Sequence, residues 1–159
     1  MPFYIHILIY LVVLSILLLA SVFYNPRSWL HRMPPEVVAK VPARTATEKH
    51  TALITGLPFL LVTILYPIIY VLLQQSANFF QNFLLFCAFF MGFTIWDTLV
   101  LDLIIVCTIS PRRFLVPGTN REDYRNKLYH IKAGSKGLVI SLVFSAVFAG
   151  IITLVNLVI

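Results

Sequence analysis

Four long apolar stretches alternate with short polar ones along the chain. They lie near Phe3–Tyr24, Thr51–Leu73, Phe83–Ile109 and Leu138–Ile159. A helix needs about 20 apolar residues to cross a bilayer, and each stretch reaches that length. The runs are continuous, unlike the alternating segments of about 10 residues found in transmembrane barrels. The pattern predicts an all-α polytopic membrane protein: one domain over residues 1–159, with four transmembrane helices packed as a bundle. The first stretch has no Lys or Arg before it and is longer than a signal-peptide core, so a retained helix is expected.

Composition supports this reading. The chain is 60% hydrophobic and 11% charged, with a mean hydropathy of +0.92. Soluble domains are about half apolar and about a quarter charged. A soluble core of this length cannot bury so much apolar side chain, so lipid must solvate part of it.

The distribution of charge adds a direction. Arg27, Arg32, Lys40, Arg44 and Lys49 lie between the first two stretches. Arg112, Arg113, Arg121, Arg125, Lys127, Lys132 and Lys136 lie between the last two. The link "QQSANFFQN" carries no charge. The positive-inside rule then predicts two basic cytoplasmic loops and two extracytoplasmic termini. The net charge of +6 is thereby a topology signal, and nucleic acid is not an expected partner.

Within the spans, formal charge is confined to Asp97 and Asp102. On an α-helix, Thr94, Asp97, Thr98 and Asp102 share an arc of about 140°, and Cys87 lies in the same arc. Such a seam must face protein or water rather than lipid. Hydrocarbon favours the neutral form of a carboxyl group, and a like-charged neighbour adds to that preference. At least one of the two is expected to carry a proton. Depth matching offers Ser15, Thr63 and Ser145 as partners of Asp97, and Thr55 and Ser141 as partners of Asp102. The bland alternative is a neutral acid acting as interhelical glue.

The last stretch has small residues at every fourth position: Gly137, Ser141, Ser145, Ala149 and Thr153. That face admits close approach of another helix, for which the third span is the natural partner. Pro58 and Pro67 interrupt the second stretch and are expected to kink it. Tyr66 and Tyr70 point either into the bundle or to its outer interface. Cys87 and Cys107, about 30 Å apart on one helix, are expected as free thiols.

The first basic loop holds four prolines and predicts an extended path, with Thr45 and Glu48 capping the second span. In the second loop, "PGT" marks a turn, and Thr119 with Glu122 reads as a capping box. An amphipathic interfacial helix over about residues 120–132 is expected, with Tyr124, Leu128 and Ile131 on one face. It would lead through a flexible "AGSKG" into the last span. Arg112, Arg113, Arg121, Arg125 and Lys132 are the expected contacts to anionic lipid headgroups. His50, His130 and Asp102 lack any metal-ligand spacing. No P-loop, GxSxG or dinucleotide fingerprint occurs, so neither metal nor cofactor is expected.

The segments "NPRSWLHRMPPEV", "VPARTATEKH", "WDTLVLDLIIV" and "VPGTNREDYRNKLYHIKAGSKG" together resemble a group of uncharacterised bacterial four-helix membrane proteins. Members of that group carry an in-membrane W-D-x4-D element, a P-G-T turn, and a D-Y…H…G segment before the last span. The matching residues are Trp96, Asp97, Asp102, Pro117, Gly118, Thr119, Asp123, Tyr124, His130 and Gly137. The resemblance implies placement in a bacterial cytoplasmic (inner) membrane and carries no activity.

Two function classes remain. The first is non-enzymatic. A protonatable site of Asp97, Asp102, Thr94, Thr98, Ser141 and Ser145 would handle protons, cations or a small solute, or the chain would serve as a subunit of a larger membrane complex. Four spans are few for an autonomous carrier, so a homo-oligomer or a partner is expected. The second class is a lipid-binding or lipid-modifying enzyme, with Asp102 and His130 at headgroup level.

Overall fold

In a computed structural model that describes residues 1–158, the chain is all-helical, with no strand among the described residues. Four helical segments are long and apolar enough to cross a membrane. Helix α1 spans Phe3–Tyr24 and a short helix α2 spans Pro35–Val38. Helix α3 spans Ala46–Leu73 and α4 spans Phe79–Trp96. A π-helical segment over Asp97–Ile109 continues α4. Helix α5 spans Lys127–Val158.

The outer faces are apolar and open, as at Leu8, Ile16, Leu53, Leu65, Val139 and Leu154. Inside, Tyr10, Leu14, Phe89 and Phe93 join α1 to α3 and α4. Val71, Phe86, Phe90, Ala149 and Ile152 join α3, α4 and α5.

Both chain ends meet the uncharged link at one end of the bundle. Phe3 packs on Tyr70, and Asn156 Nδ2 donates to the Ser76 carbonyl at 2.9 Å. The two basic loops form the opposite end, hereafter the basic end. They fold on a small core of their own, made of Leu30, Val37, Val116 and Tyr124. Lys40 Nζ donates to Asp123 Oδ1 at 2.6 Å, and Asn126 Nδ2 donates to Glu36 Oε1 at 2.8 Å.

Helix α3 begins where Thr45 and Glu48 cap it reciprocally, as their spacing predicts. The helix passes through both prolines without ending. Pro67 has no N–H to offer the Thr63 carbonyl, and the Tyr10 hydroxyl fills that position at 3.1 Å. A backbone break inside a bundle is tolerated when a neighbour re-satisfies the freed group.

The first loop is more ordered than an extended path. A 3-10 turn covers Pro26–Arg32. Pro34 is extended, and Pro35 then opens α2, because its fixed φ suits a first helical turn.

The separate helix expected over 120–132 does not form. A 3-10 turn covers Arg121–Tyr124, and α5 starts at Lys127 and runs through "AGSKG" without a break. The cap is Asn120 with Asp123 rather than Thr119 with Glu122. The Thr119 hydroxyl is committed to Val116 O and to Tyr124. Tyr124 is buried, while Leu128 and Ile131 of its expected face are exposed.

Candidate functional site

The third span changes its winding at Asp97. In α4 the amides bond four residues back. Over Asp97–Ile109 the repeat is i→i+5 for 13 residues, and Ser110 N closes it on Ile105 O at 2.8 Å. Such winding is usually confined to single-turn bulges, frequently at functional sites. Residues five apart lie nearly opposite on an α-helix, at about 140°. Under the wider winding they become neighbours on adjacent turns. Asp97, Asp102 and Cys107 therefore follow one another along one side, and Cys107 is buried there. Sequence reasoning at 100° per residue misplaces everything after Asp97.

The span also begins at Phe79 rather than near Phe83. Asp97 consequently lies past the midpoint, towards the basic end. The hydroxyls expected beside the aspartates are bonded elsewhere. Ser15 Oγ donates to Leu11 O and accepts from Trp96 Nε1. Thr63 and Thr55 donate to carbonyls of their own helix, and Ser145 donates to Ser141 O at 2.7 Å.

The partner of Asp102 is His130. Its Nδ1 stands 3.1 Å from Asp102 Oδ2, and the imidazole side chain is 4% exposed against 28% for the carboxylate. His130 sits on the first turns of α5, so the pair ties the π segment to the start of the last helix. Its other nitrogen, Nε2, is buried and has no hydrogen-bond partner among the described residues. With Nδ1 facing the carboxylate, Nε2 is the atom through which a proton or a polar ligand would be exchanged. No local spacing signals this pair, because 28 residues and the whole second loop separate its members.

The close seam between α4 and α5 is built from small residues. A Cβ on Gly134 would overlap Thr98 Oγ1 and stand 2.8 Å from its Cγ2. A Cβ on Gly137 would stand 3.0 Å from Thr94 Cγ2. Thr94 Oγ1 and Ser141 Oγ lie 2.9 Å apart, and both reach the Phe90 carbonyl. At the uncharged end, Asn82 donates to Thr153 Oγ1 at 3.0 Å. Thus Thr94, Thr98, Ser141 and Ser145 line the helix seam, and their hydroxyls bond backbone carbonyls or one another rather than the carboxylates. An apolar cleft of about 230 Å³ adjoins the Thr94–Ser141 pair, with Tyr10, Leu60, Phe93 and Phe144 in its walls.

The headgroup residues separate. Arg113 lies over the Phe23 ring, 5.0 Å from its centroid. Arg112 and Arg121 line one cavity of about 530 Å³. Arg125 and Lys132 are exposed elsewhere. Among the described residues, no three His, Cys, Asp or Glu side chains come together as a metal site, and both cysteines are free.

Compared with known proteins, the chain matches no family model, no curated protein and no solved structure.

Proposed function

We propose that the chain is a bacterial inner-membrane protein that takes up and passes protons through an acid–imidazole site, with both termini outside and both basic loops in the cytoplasm. The observation that carries this reading is the His130–Asp102 pair. A buried imidazole is held by a carboxylate at 3.1 Å, with its second nitrogen free. Asp97 stands one wide turn deeper on the same side.

This arrangement has the parts of a short relay. Asp97 is the inner acceptor, Asp102 and His130 exchange a proton across their 3.1 Å contact, and His130 Nε2 delivers it onward. Intramembrane acids and histidines that face the bundle interior are the usual elements of such chains. The imidazole that faces Asp102 comes from the same chain, which favours a self-contained site over one completed by another subunit.

The test is proton flux into liposomes that contain the purified protein and a trapped pH-sensitive dye, driven by a potassium diffusion potential. The wild-type chain is expected to acidify the lumen. Asp97→Asn and His130→Gln are each expected to slow acidification at least tenfold while particle mass stays unchanged. Equal rates for the wild type, both variants and empty liposomes would remove the proton reading.

A further inference from the structure

A second site lies apart from the carboxylates, on the connection between the π segment and α5. The cavity of about 530 Å³ there is lined by Arg112, Val116, Pro117, Gly118, Thr119 and Arg121, with Leu115 and Asn120 completing it. We infer that this cavity binds a phosphate monoester, held between the guanidinium groups of Arg112 and Arg121. The inference stands independently of the proton reading.

Three observations point to an anion. First, both arginines are uncompensated. The acid–base contacts among the described residues are Arg27–Glu48, Lys40–Asp123 and His130–Asp102, and none uses Arg112 or Arg121. Second, the acid facing this loop from within is neutralised. Asp123 accepts from Lys40 of the first loop and caps Asn120 N. Glu122 is the one other acid of the second loop, and it is exposed.

Third, the cavity wall is held rigid before any ligand arrives. Tyr124 is 1% exposed, and its hydroxyl accepts from Val116 N at 2.9 Å and meets Thr119 Oγ1 at 3.1 Å. Thr119 N and Oγ1 both return to Val116 O. Gly118 takes φ +92°, a turn conformation that a side chain would strain. A fixed wall reduces the ordering cost of binding.

Guanidinium forks match phosphate oxygens in pairs, and a monoester offers three such oxygens with close to two negative charges. The cavity follows directly on the apolar span that ends at Ile109, which is headgroup depth. The shared chemistry fits two sources: a phosphatidic-acid headgroup in the bilayer, or a soluble phosphate.

The experiment uses the full chain in zwitterionic nanodiscs. Phosphatidic acid and phosphatidylglycerol are each added, and retention is read by native mass spectrometry. Inorganic phosphate is titrated separately and followed by phosphorus NMR. Arg112→Gln/Arg121→Gln is compared with Arg125→Gln/Lys132→Gln, which removes the same charge elsewhere. Arg121→Lys keeps the charge but loses the fork.

The expected result is retention of phosphatidic acid over phosphatidylglycerol. It should fall about tenfold or more in the cavity double variant, fall several-fold in Arg121→Lys and hold in the control. Phosphate broadening that vanishes in the cavity variant, without lipid preference, would support the site with a soluble ligand. Equal losses in the two double variants, or no binding of either probe, would overturn the inference. All four substituted positions are exposed, and melting temperatures of the variants report directly on folding.

Discussion

The hydroxyl of Tyr10 donates to the carbonyl of Thr63 at 3.1 Å, the acceptor that Pro67 leaves without an intrahelical donor. One side chain of α1 thus repairs the backbone of α3. Tyr10→Phe keeps the ring packing and removes the repair. The expected loss is about 1–2 kcal/mol of stability, between the usual worth of a hydrogen bond in a bundle and the cost of an orphaned buried carbonyl. Pro67→Ala restores the missing N–H, so Tyr10→Phe should cost less than half as much in that background. Steric-trap or denaturant unfolding in micelles measures the cycle, and strictly additive losses would sever the link.

Gly134 is fixed by Thr98. Gly134→Ala places a methyl group into the threonine hydroxyl and should separate α5 from the π segment, at a cost of about 1–3 kcal/mol. Thr98→Ala in the same chain should recover a good part of that loss by removing Oγ1 and Cγ2. If thermal melting shows no recovery, the two helices do not meet there.

The His130–Asp102 pair makes a prediction about stability as well as flux. Removing one member leaves the other without its partner, which is costly where that member is buried, as His130 is. Asp102 is partly exposed, which lowers the figure to about 2 kcal/mol for either single variant. Asp102→Asn/His130→Gln should cost clearly less than the sum of the singles. Unfolding of the four proteins under one set of conditions decides it.

His31 supplies a pH dependence outside the spans. Partial burial, then the Arg44 and Arg32 charges, hold its imidazole below the ordinary value of 6.5. The unfolded chain therefore binds the proton more readily. This contribution to stability is fully present above about pH 6.5 and is lost as pH falls through the depressed folded value. His31 is exposed, so the effect is small. Arg44→Gln should move the His31 titration, followed by NMR, back towards 6.5, and an unmoved midpoint would contradict the assignment.

The number of the spans was legible because lipid imposes a length and a polarity that single residues cannot hide, whereas three of the four begin earlier than the apolar runs do. The cap at Thr45–Glu48 was legible because it is local. The winding change at Asp97 was not. No residue of "WDTLVLDLIIV" marks the switch, and the helix that meets the segment at Thr98, through Gly134 of α5, comes from far along the chain. That one change displaced the seam read at 100° per residue and turned Asp102 towards His130 instead of Ser141. The basic loops were under-read for a similar reason. Tyr124 looked like part of an amphipathic stripe, yet it is buried by Leu30, Val37 and Val116, two of which come from the other loop.

The ties across the basic end have a consequence for how the protein is made. Lys40 bonds Asp123 and Glu36 bonds Asn126, across 83 and 90 residues of chain. A nascent chain is delivered N-terminus first. Helices α1 and α3, joined by Tyr10 and Thr63, can pair in the membrane while the rest is still being translated. The first loop has to wait for its partner until the second has left the ribosome. The end of the molecule that carries nearly all its charge is therefore the last to take shape, and a chain stalled before Tyr124 would be left with an unfinished first loop.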